Sequence, residues 1–240
     1  MILHGLNKLT LLDYPGHLAC TAFVGACNFR CPFCHNAPLV LSADTCPQVS
    51  EEDFFSFLKK RRGILEGVCV TGGEPTLQKN LPDFLAKIKE LGFLVKLDTN
   101  GYEPKLLESL LHSACLDMVS MDIKNCPEQY AKTAGIPAER FDIARIFAST
   151  ELLRSSQIPY EFRTTVVKEL HPMECFSQIG EWLAGSSPYF LQQFVAGDQL
   201  ICGDARQFHA YTDAELKKAA MLLAAYLPNT RVRGDQASTK

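Results

Sequence analysis

Six times along this chain a short apolar run, rich in β-branched and aromatic residues, gives way to an amphipathic helical stretch. The runs fall at 18–24, 66–71, 93–97, 116–121, 160–167 and 189–194. The helical stretches fall at 51–61, 80–91, 104–112, 127–134 with 140–155, 172–184 and 212–227. A helix between two strands makes them parallel, because the connection must return across the sheet face. The pattern predicts an α/β fold: a partial (β/α)6 TIM-like barrel of parallel strands, or its open-sheet equivalent.

Local chemistry marks several boundaries. Ser50 before Glu51, Glu52 and Asp53 reads as an N-cap with an acidic first turn. Asn80 predicts a second cap, followed by Leu81, Phe84, Leu85, Ile88 and Leu91 on one helix face and Gly92 as the stop. Thr212-Asp213-Ala214-Glu215 caps the last helix. Residues 8–15 read as a lead-in to the first strand, and the segment around Val232 predicts an added edge. No linker or composition shift divides the chain, so one domain over 1–240 is expected.

Composition excludes some classes. A chain of 240 residues can bury one sizeable core. Its net charge of −3 gives no general reason to expect nucleic acid. Lys59-Lys60-Arg61-Arg62 reads as a solvated helix end. No apolar run approaches the roughly 18–20 residues of a membrane span, and Met1–Leu6 lacks the layout of a signal peptide. A cytoplasmic protein with no membrane partner is expected. The 10 cysteines fit thiols kept reduced there, since a secreted disulfide scaffold is shorter and turn-rich.

A barrel places its working residues where strands end. Just past the first strand stand Cys27, Cys31 and Cys34, spaced C-x3-C-x2-C. Three thiolates from one loop can hold a metal centre but cannot close a four-ligand one. Structural zinc would need a fourth ligand such as His35 or Cys46, whereas a four-iron cluster with three protein ligands keeps one iron open. Gly72-Gly73-Glu74-Pro75, Asp98-Thr99-Asn100-Gly101 and Asp122-Ile123-Lys124 end later strands. Each alone reads as a turn or a solvated strand end. Arg163, inside an apolar strand, needs a partner if buried.

The cysteine loop, with Phe33 before its last cysteine, resembles the signature of the radical S-adenosylmethionine (SAM) superfamily. Leu12-Asp13-Tyr14-Pro15-Gly16, Cys34-His35-Asn36, 71–75, 97–101, 121–124, 162–167 and 189–194 extend the likeness, nearly end to end, to the glycyl-radical-enzyme activases. The resemblance implies the radical SAM fold and a [4Fe–4S] cluster on Cys27, Cys31 and Cys34. It further implies reductive cleavage of S-adenosyl-L-methionine to a 5′-deoxyadenosyl radical that abstracts hydrogen from a glycine of a partner enzyme. That partner would be a glycyl radical enzyme, anaerobic ribonucleoside-triphosphate reductase, with flavodoxin or ferredoxin as one-electron donor.

Residue roles follow from the same likeness. Gly72, Gly73 and Glu74 would meet the methionine ammonium, and Asp98 the methionine end. Asp98, Thr99 and the Asp122 segment would frame a monovalent-cation site. Asp122 would reach the ribose, Lys124 the methionine carboxylate and Phe33 the adenine, with Arg163 in the same pocket. Asp13, Tyr14 and His35 make up the substrate-facing set, His35 also lying close enough to tune the cluster. One departure stands out: where a related activase has a ribose-binding histidine, this chain reads Leu191-Gln192-Gln193-Phe194. His4, His17, His112, His171 and His209 lack ligand spacing and read as surface or capped histidines. Two rivals remain open: a radical enzyme for a small molecule, similar to 7-carboxy-7-deazaguanine synthase, and a metal-binding module without enzymatic activity.

Overall fold

A computed structural model describes residues 1–186, 188–195 and 200–233 of the chain. Its strands are β1 (Gly5–Thr10), β2 (Ala19–Val24), β3 (Gly67–Gly72), β4 (Leu94–Thr99), β5 (Met118–Asp122), β6 (Tyr160–Val166), β7 (Tyr189–Gln193) and β8 (Thr230–Arg233). Its α-helices are α1 (Ala37–Leu41), α2 (Glu51–Lys60), α3 (Leu81–Glu90), α4 (Pro104–His112), α5 (Pro127–Ala134), α6 (Ile143–Ser155), α7 (Met173–Trp182) and α8 (Asp213–Ala224). The strand order is the chain order, β1 to β8. The fold is α/β and mostly parallel, as the alternation predicts.

The caps explain why several helices start where they do. The Ser50 side chain accepts from the Asp53 N–H at 3.0 Å. Thr212 and Glu215 form a reciprocal capping box at the start of α8. Asn80 makes no side-chain cap bond, and α3 instead carries Pro82 in its first turn, where no N–H partner is needed. The strand β1 is not anticipated from sequence. Asn7, Lys8 and Leu9 are all exposed, so no alternation of buried and exposed positions announces it.

The chain divides into two compact units, each assembled from separated segments. The first comprises Met1–Asn28, Asn36–Ser120 and Arg145–Pro159. In it β1 runs antiparallel to β2, and β2, β3 and β4 run parallel, with Thr21 opposite Cys69 and Cys69 opposite Lys96. Its core includes the fully buried Phe54, Leu58, Leu81, Phe84, Leu85 and Ile88, with the Phe54 and Phe84 rings stacked at 5.2 Å. Each such side chain contributes about 1.5–3 kcal/mol by leaving water.

The second unit comprises Phe29–His35, Met121–Ala144 and Tyr160–Lys240. Here β6, β7 and β8 run parallel, so the Val232 segment does add an edge strand. Phe162, Phe176, Tyr130, Tyr189 and Leu191 are buried at its centre. Glu161 on β6, only 1% exposed, is held by Arg233 of β8 at 2.8 Å, and the guanidinium also covers the Phe190 ring. A charged pair in this position ties the edge strand down. No described helix is long and apolar enough to cross a membrane.

Candidate cofactor site

In the first unit the end of β3 lies directly against the root of the cysteine loop. The Gly73 N–H donates to the Val24 carbonyl and the Glu74 N–H to the Ala26 carbonyl, both at 2.8 Å. A Cβ on Gly73 would sit 1.8 Å from the Ala26 oxygen, and one on Gly72 would sit 2.4 Å from Val24 backbone atoms. Both positions require glycine for this backbone contact alone, and Gly72 also has φ 122. Ala26 itself has φ 66, a left-handed turn that sends the chain into Cys27. Such a conformation costs an L-residue roughly 1–2 kcal/mol; the bonds from Glu74 to Ala26 and from Ala26 to Leu39 hold it.

Glu74 is buried, and its carboxylate braces two strand ends. One oxygen accepts from the Thr76 N–H (3.1 Å), the Thr76 hydroxyl (2.6 Å) and the Thr99 hydroxyl (2.7 Å). The other accepts from the Asn100 N–H at 2.7 Å. Burial pushes the carboxyl pKa up, and these donors pull against that rise. The Asn100 side chain is oriented in turn. Its Oδ1 accepts from the Tyr102 N–H at 2.9 Å, so its Nδ2 must face Asn28 Oδ1, at 2.7 Å, with Cys27 Sγ at 3.8 Å. The Asn28 amide is thereby fixed, and its buried Nδ2 has no protein acceptor.

Asp98 lies on the same face of β4 as Lys96, two residues earlier. The Lys96 ammonium, with no solvent exposure, pairs with Asp98 Oδ1 and lies 3.9 Å from Cys69 Sγ. Asp13 accepts from the Thr21 hydroxyl in the first half of β2. Tyr14 is buried, with its ring packed on Gly67, the first residue of β3. These two residues thus sit towards the strand starts, whereas Gly72–Glu74 and Asn100 lie at strand ends. Leu11, Leu12, Pro15 and Gly16 of that segment are exposed.

In the second unit the rest of the cysteine loop is held by backbone. The Arg30 N–H donates to Ala134 at 2.8 Å, the Cys34 N–H to Cys31 at 3.0 Å, and the Cys202 N–H to Pro32 at 3.0 Å. Phe33 is buried, edge-on to His171 and Phe194, and His35 lies 5.4 Å from the Phe194 ring. His35 is exposed at the residue level, and partial burial of its ring lowers its pKa from the ordinary histidine value.

Asp122, Lys124 and Arg163 form one charged cluster. Arg163 Nε pairs with one oxygen of Asp122 and Lys124 Nζ with the other at 2.8 Å. Burial alone would raise the Asp122 pKa; the two cations outweigh it and hold the carboxyl well below its usual range. Burial likewise works against the Lys124 charge, but Asp122 and the nearby Cys31 sulfur raise its pKa well above normal. His171 is fully buried and not a surface histidine. Its Nε2–H donates to the Lys124 carbonyl at 2.8 Å while Nδ1 accepts from the Val167 N–H at 3.0 Å. Gln193, at the end of β7, donates through Nε2 to the Tyr211 carbonyl, which leaves its buried Oε1 without a protein donor.

Taken separately, each unit carries groups whose chemistry suits an iron–sulfur cluster and a zwitterionic nucleoside cofactor. No three His, Cys, Asp or Glu side chains among the described residues converge as they would around one metal ion. A four-iron cluster asks for three thiolates meeting three separate irons. The orphaned Asn28 donor stands beside Cys27, a Lys124 ammonium stands near Cys31, and the Gln193 acceptor is of the kind a ribose hydroxyl satisfies. Sequence reading missed Lys96, Asn28 and His171. Lys96 had a signal: a lysine in an apolar strand, two positions from an aspartate, shares that aspartate's face.

The sequence profile of the Radical SAM superfamily matches residues 21–175, and the chain belongs to that superfamily of enzymes, which use a [4Fe–4S] cluster and S-adenosylmethionine. Among individual proteins, it is 27% identical to MJ1227 of Methanocaldococcus jannaschii, provisionally named a glycyl-radical enzyme activating enzyme, over 97% of this chain and 95% of that one. It is 36% identical to a provisionally named GTP 3′,8-cyclase of Sulfolobus acidocaldarius, over 46% of this chain and 36% of the relative. In fold it is similar to a radical SAM methyltransferase from Sphaerobacter thermophilus, with TM-score 0.71 and 13% identity over 92% of this chain and 67% of that one.

Proposed function

We propose that this protein is a glycyl-radical-enzyme activating enzyme whose partner is anaerobic ribonucleoside-triphosphate reductase. The observation that carries the activase reading is the end-to-end match to MJ1227, which spans 95% of that relative; the choice of reductase rests on the family likeness of the sequence. The cyclase relative matches over only 36% of its length, as expected where the cofactor-handling part alone is shared.

When bound, the reduced cluster and S-adenosylmethionine supply the 5′-deoxyadenosyl radical that takes a hydrogen atom from the partner's glycine. Cys27, Cys31 and Cys34 hold the irons as thiolates. Gly72 and Gly73 keep the β3 end low against the cysteine loop, and their backbone would face the methionine ammonium. Glu74 holds those glycines in place through its four hydrogen bonds. Asp98, its charge balanced by Lys96, would hold the methionine end by hydrogen bonding, and Lys124 would meet the methionine carboxylate as a point charge. Asp122, held between its two cations, would reach the ribose, and the unpartnered Gln193 Oε1 would accept from a ribose hydroxyl. Phe33 would lie along the adenine, and Arg163 keeps Asp122 ionised. His35 would lie close enough to the cluster to tune it and would face the substrate. Asp13 and the exposed Leu11 and Leu12 face the partner, while Tyr14 supports that segment from below. A flavodoxin or ferredoxin would supply the electron.

The test is electron paramagnetic resonance on the anaerobically reconstituted protein, mixed with the reductase, S-adenosylmethionine and a reductant. A glycyl-radical doublet on the reductase is the expected result. Turnover of a purine-like compound without that doublet would replace this reading with the small-molecule one.

A further inference from the structure

The monovalent-cation site expected from the family likeness does not fit this chain. A cation between carboxylates needs unclaimed oxygen charge, and both carboxylates expected to frame it already hold side-chain cations. Asp98 Oδ1 carries the Lys96 ammonium. The two oxygens of Asp122 carry Arg163 and Lys124. Lys96 is the informative member. It has no solvent exposure, it points along the same face of β4 as Asp98, and a charge so buried requires a partner.

We infer that Lys96 is a built-in replacement for the monovalent cation: a tethered ammonium that neutralises Asp98, so that this protein binds S-adenosylmethionine without potassium or sodium. An ammonium and a potassium ion carry the same charge, and both are satisfied by oxygen. The tethered one is always present and is immune to the salt composition of the cell. Its neighbour Cys69 Sγ, at 3.9 Å, adds a soft second contact that a hard alkali cation would not seek. Lys96 is a positioning residue, since it acts on the cofactor through Asp98. The inference therefore rests on the reading of Asp98 as a cofactor contact, and it needs no partner enzyme.

The experiment measures S-adenosylmethionine affinity of the cluster-reconstituted protein by equilibrium binding. Buffers contain either tetramethylammonium alone or added potassium at constant ionic strength. Wild-type affinity is expected to change less than twofold between them. Lys96→Ala is expected to bind at least tenfold more weakly in tetramethylammonium and to regain most of that loss with potassium or methylammonium. A tenfold gain for the wild type on adding potassium overturns the inference. So does a Lys96→Ala protein that binds like the wild type in both buffers, or one whose loss neither cation restores. Should Lys96→Ala not retain its cluster, thallium(I) binding to the wild-type protein decides: saturable binding at millimolar concentration overturns the inference, and none supports it. Absence of a glycyl radical on the reductase would bear on the proposed function alone and leave these outcomes unchanged.

Discussion

Asn100 Nδ2 donates to Asn28 Oδ1 at 2.7 Å, and this single bond sets the direction of the last polar side chain beside Cys27. Asn100→Ala frees the Asn28 amide and removes the amide nitrogen 3.8 Å from Cys27 Sγ. Loss of donors near cluster sulfur disfavours the more negative, reduced state. The cluster's reduction potential is expected to fall in Asn100→Ala, and to fall again by a similar step in Asn28→Leu. A redox titration followed by electron paramagnetic resonance checks this; equal potentials in all three proteins would remove Asn28 from the site.

Glu74→Gln tests the brace. The substituted amide presents donors where Thr76, Thr99 and Asn100 already donate. The expected loss is about 1.5–3 kcal/mol of unfolding free energy, measured by urea denaturation. A change within error would mean that the carboxylate is not the acceptor of those four bonds.

Two glycines press on the cysteine loop, each within its own unit. A methyl on Gly73 meets the Ala26 carbonyl at 1.8 Å, and one on Gly135 (φ +66) meets the Arg30 carbonyl at 2.0 Å. Gly73→Ala and Gly135→Ala are each expected to cost about 1–3 kcal/mol or more and to lower the iron retained after reconstitution. Iron and sulfide analysis reads the second effect separately from the first.

His171 gives the acid limb of stability. Burial holds its pKa below the ordinary histidine value, so below about pH 6.5 the unfolded chain takes up a proton that the folded one refuses. Stability is therefore full above that pH and falls as pH drops from about 6.5 towards the lower folded value, by up to about 1.4 kcal/mol per pH unit. Urea midpoints at about pH 7.5 and 5.5 should differ less in His171→Gln than in the wild type. Identical slopes would contradict a buried neutral imidazole.

Lys124→Ala separates cofactor binding from cluster assembly. Asp122 keeps Arg163, so its charge remains compensated. Iron content is expected to be unchanged while S-adenosylmethionine affinity falls about tenfold, or about 1.4 kcal/mol. Wild-type affinity would place Lys124 away from the methionine carboxylate.

The elements that carry the site were legible because they follow from periodicity and from strand-end residues. The turns after β2, β3, β4 and β5 could be placed from Cys27, Gly72, Asp98 and Asp122 alone. What stayed hidden depends on pairs distant in sequence. Nothing in Gly72-Gly73-Glu74 reveals that its carboxylate reaches Thr99 and Asn100, and nothing near His171 points to Lys124, 47 residues away. Tyr14 was misleading for the opposite reason. Its place in a turn-like Asp-Tyr-Pro-Gly stretch suggests exposure, but its ring fills the space that Gly67 leaves.

The cysteine loop is synthesised early and completed late. Residues 29–35 pack with segments that begin at 121 and 160, and the Pro32 carbonyl receives its hydrogen bond from Cys202. A ribosome releasing the chain from its N-terminus exposes Cys31 and Cys34 long before those neighbours exist. Iron loading of a properly seated loop must then follow synthesis rather than accompany it. In the meantime the nascent thiols depend on the reducing power of their surroundings.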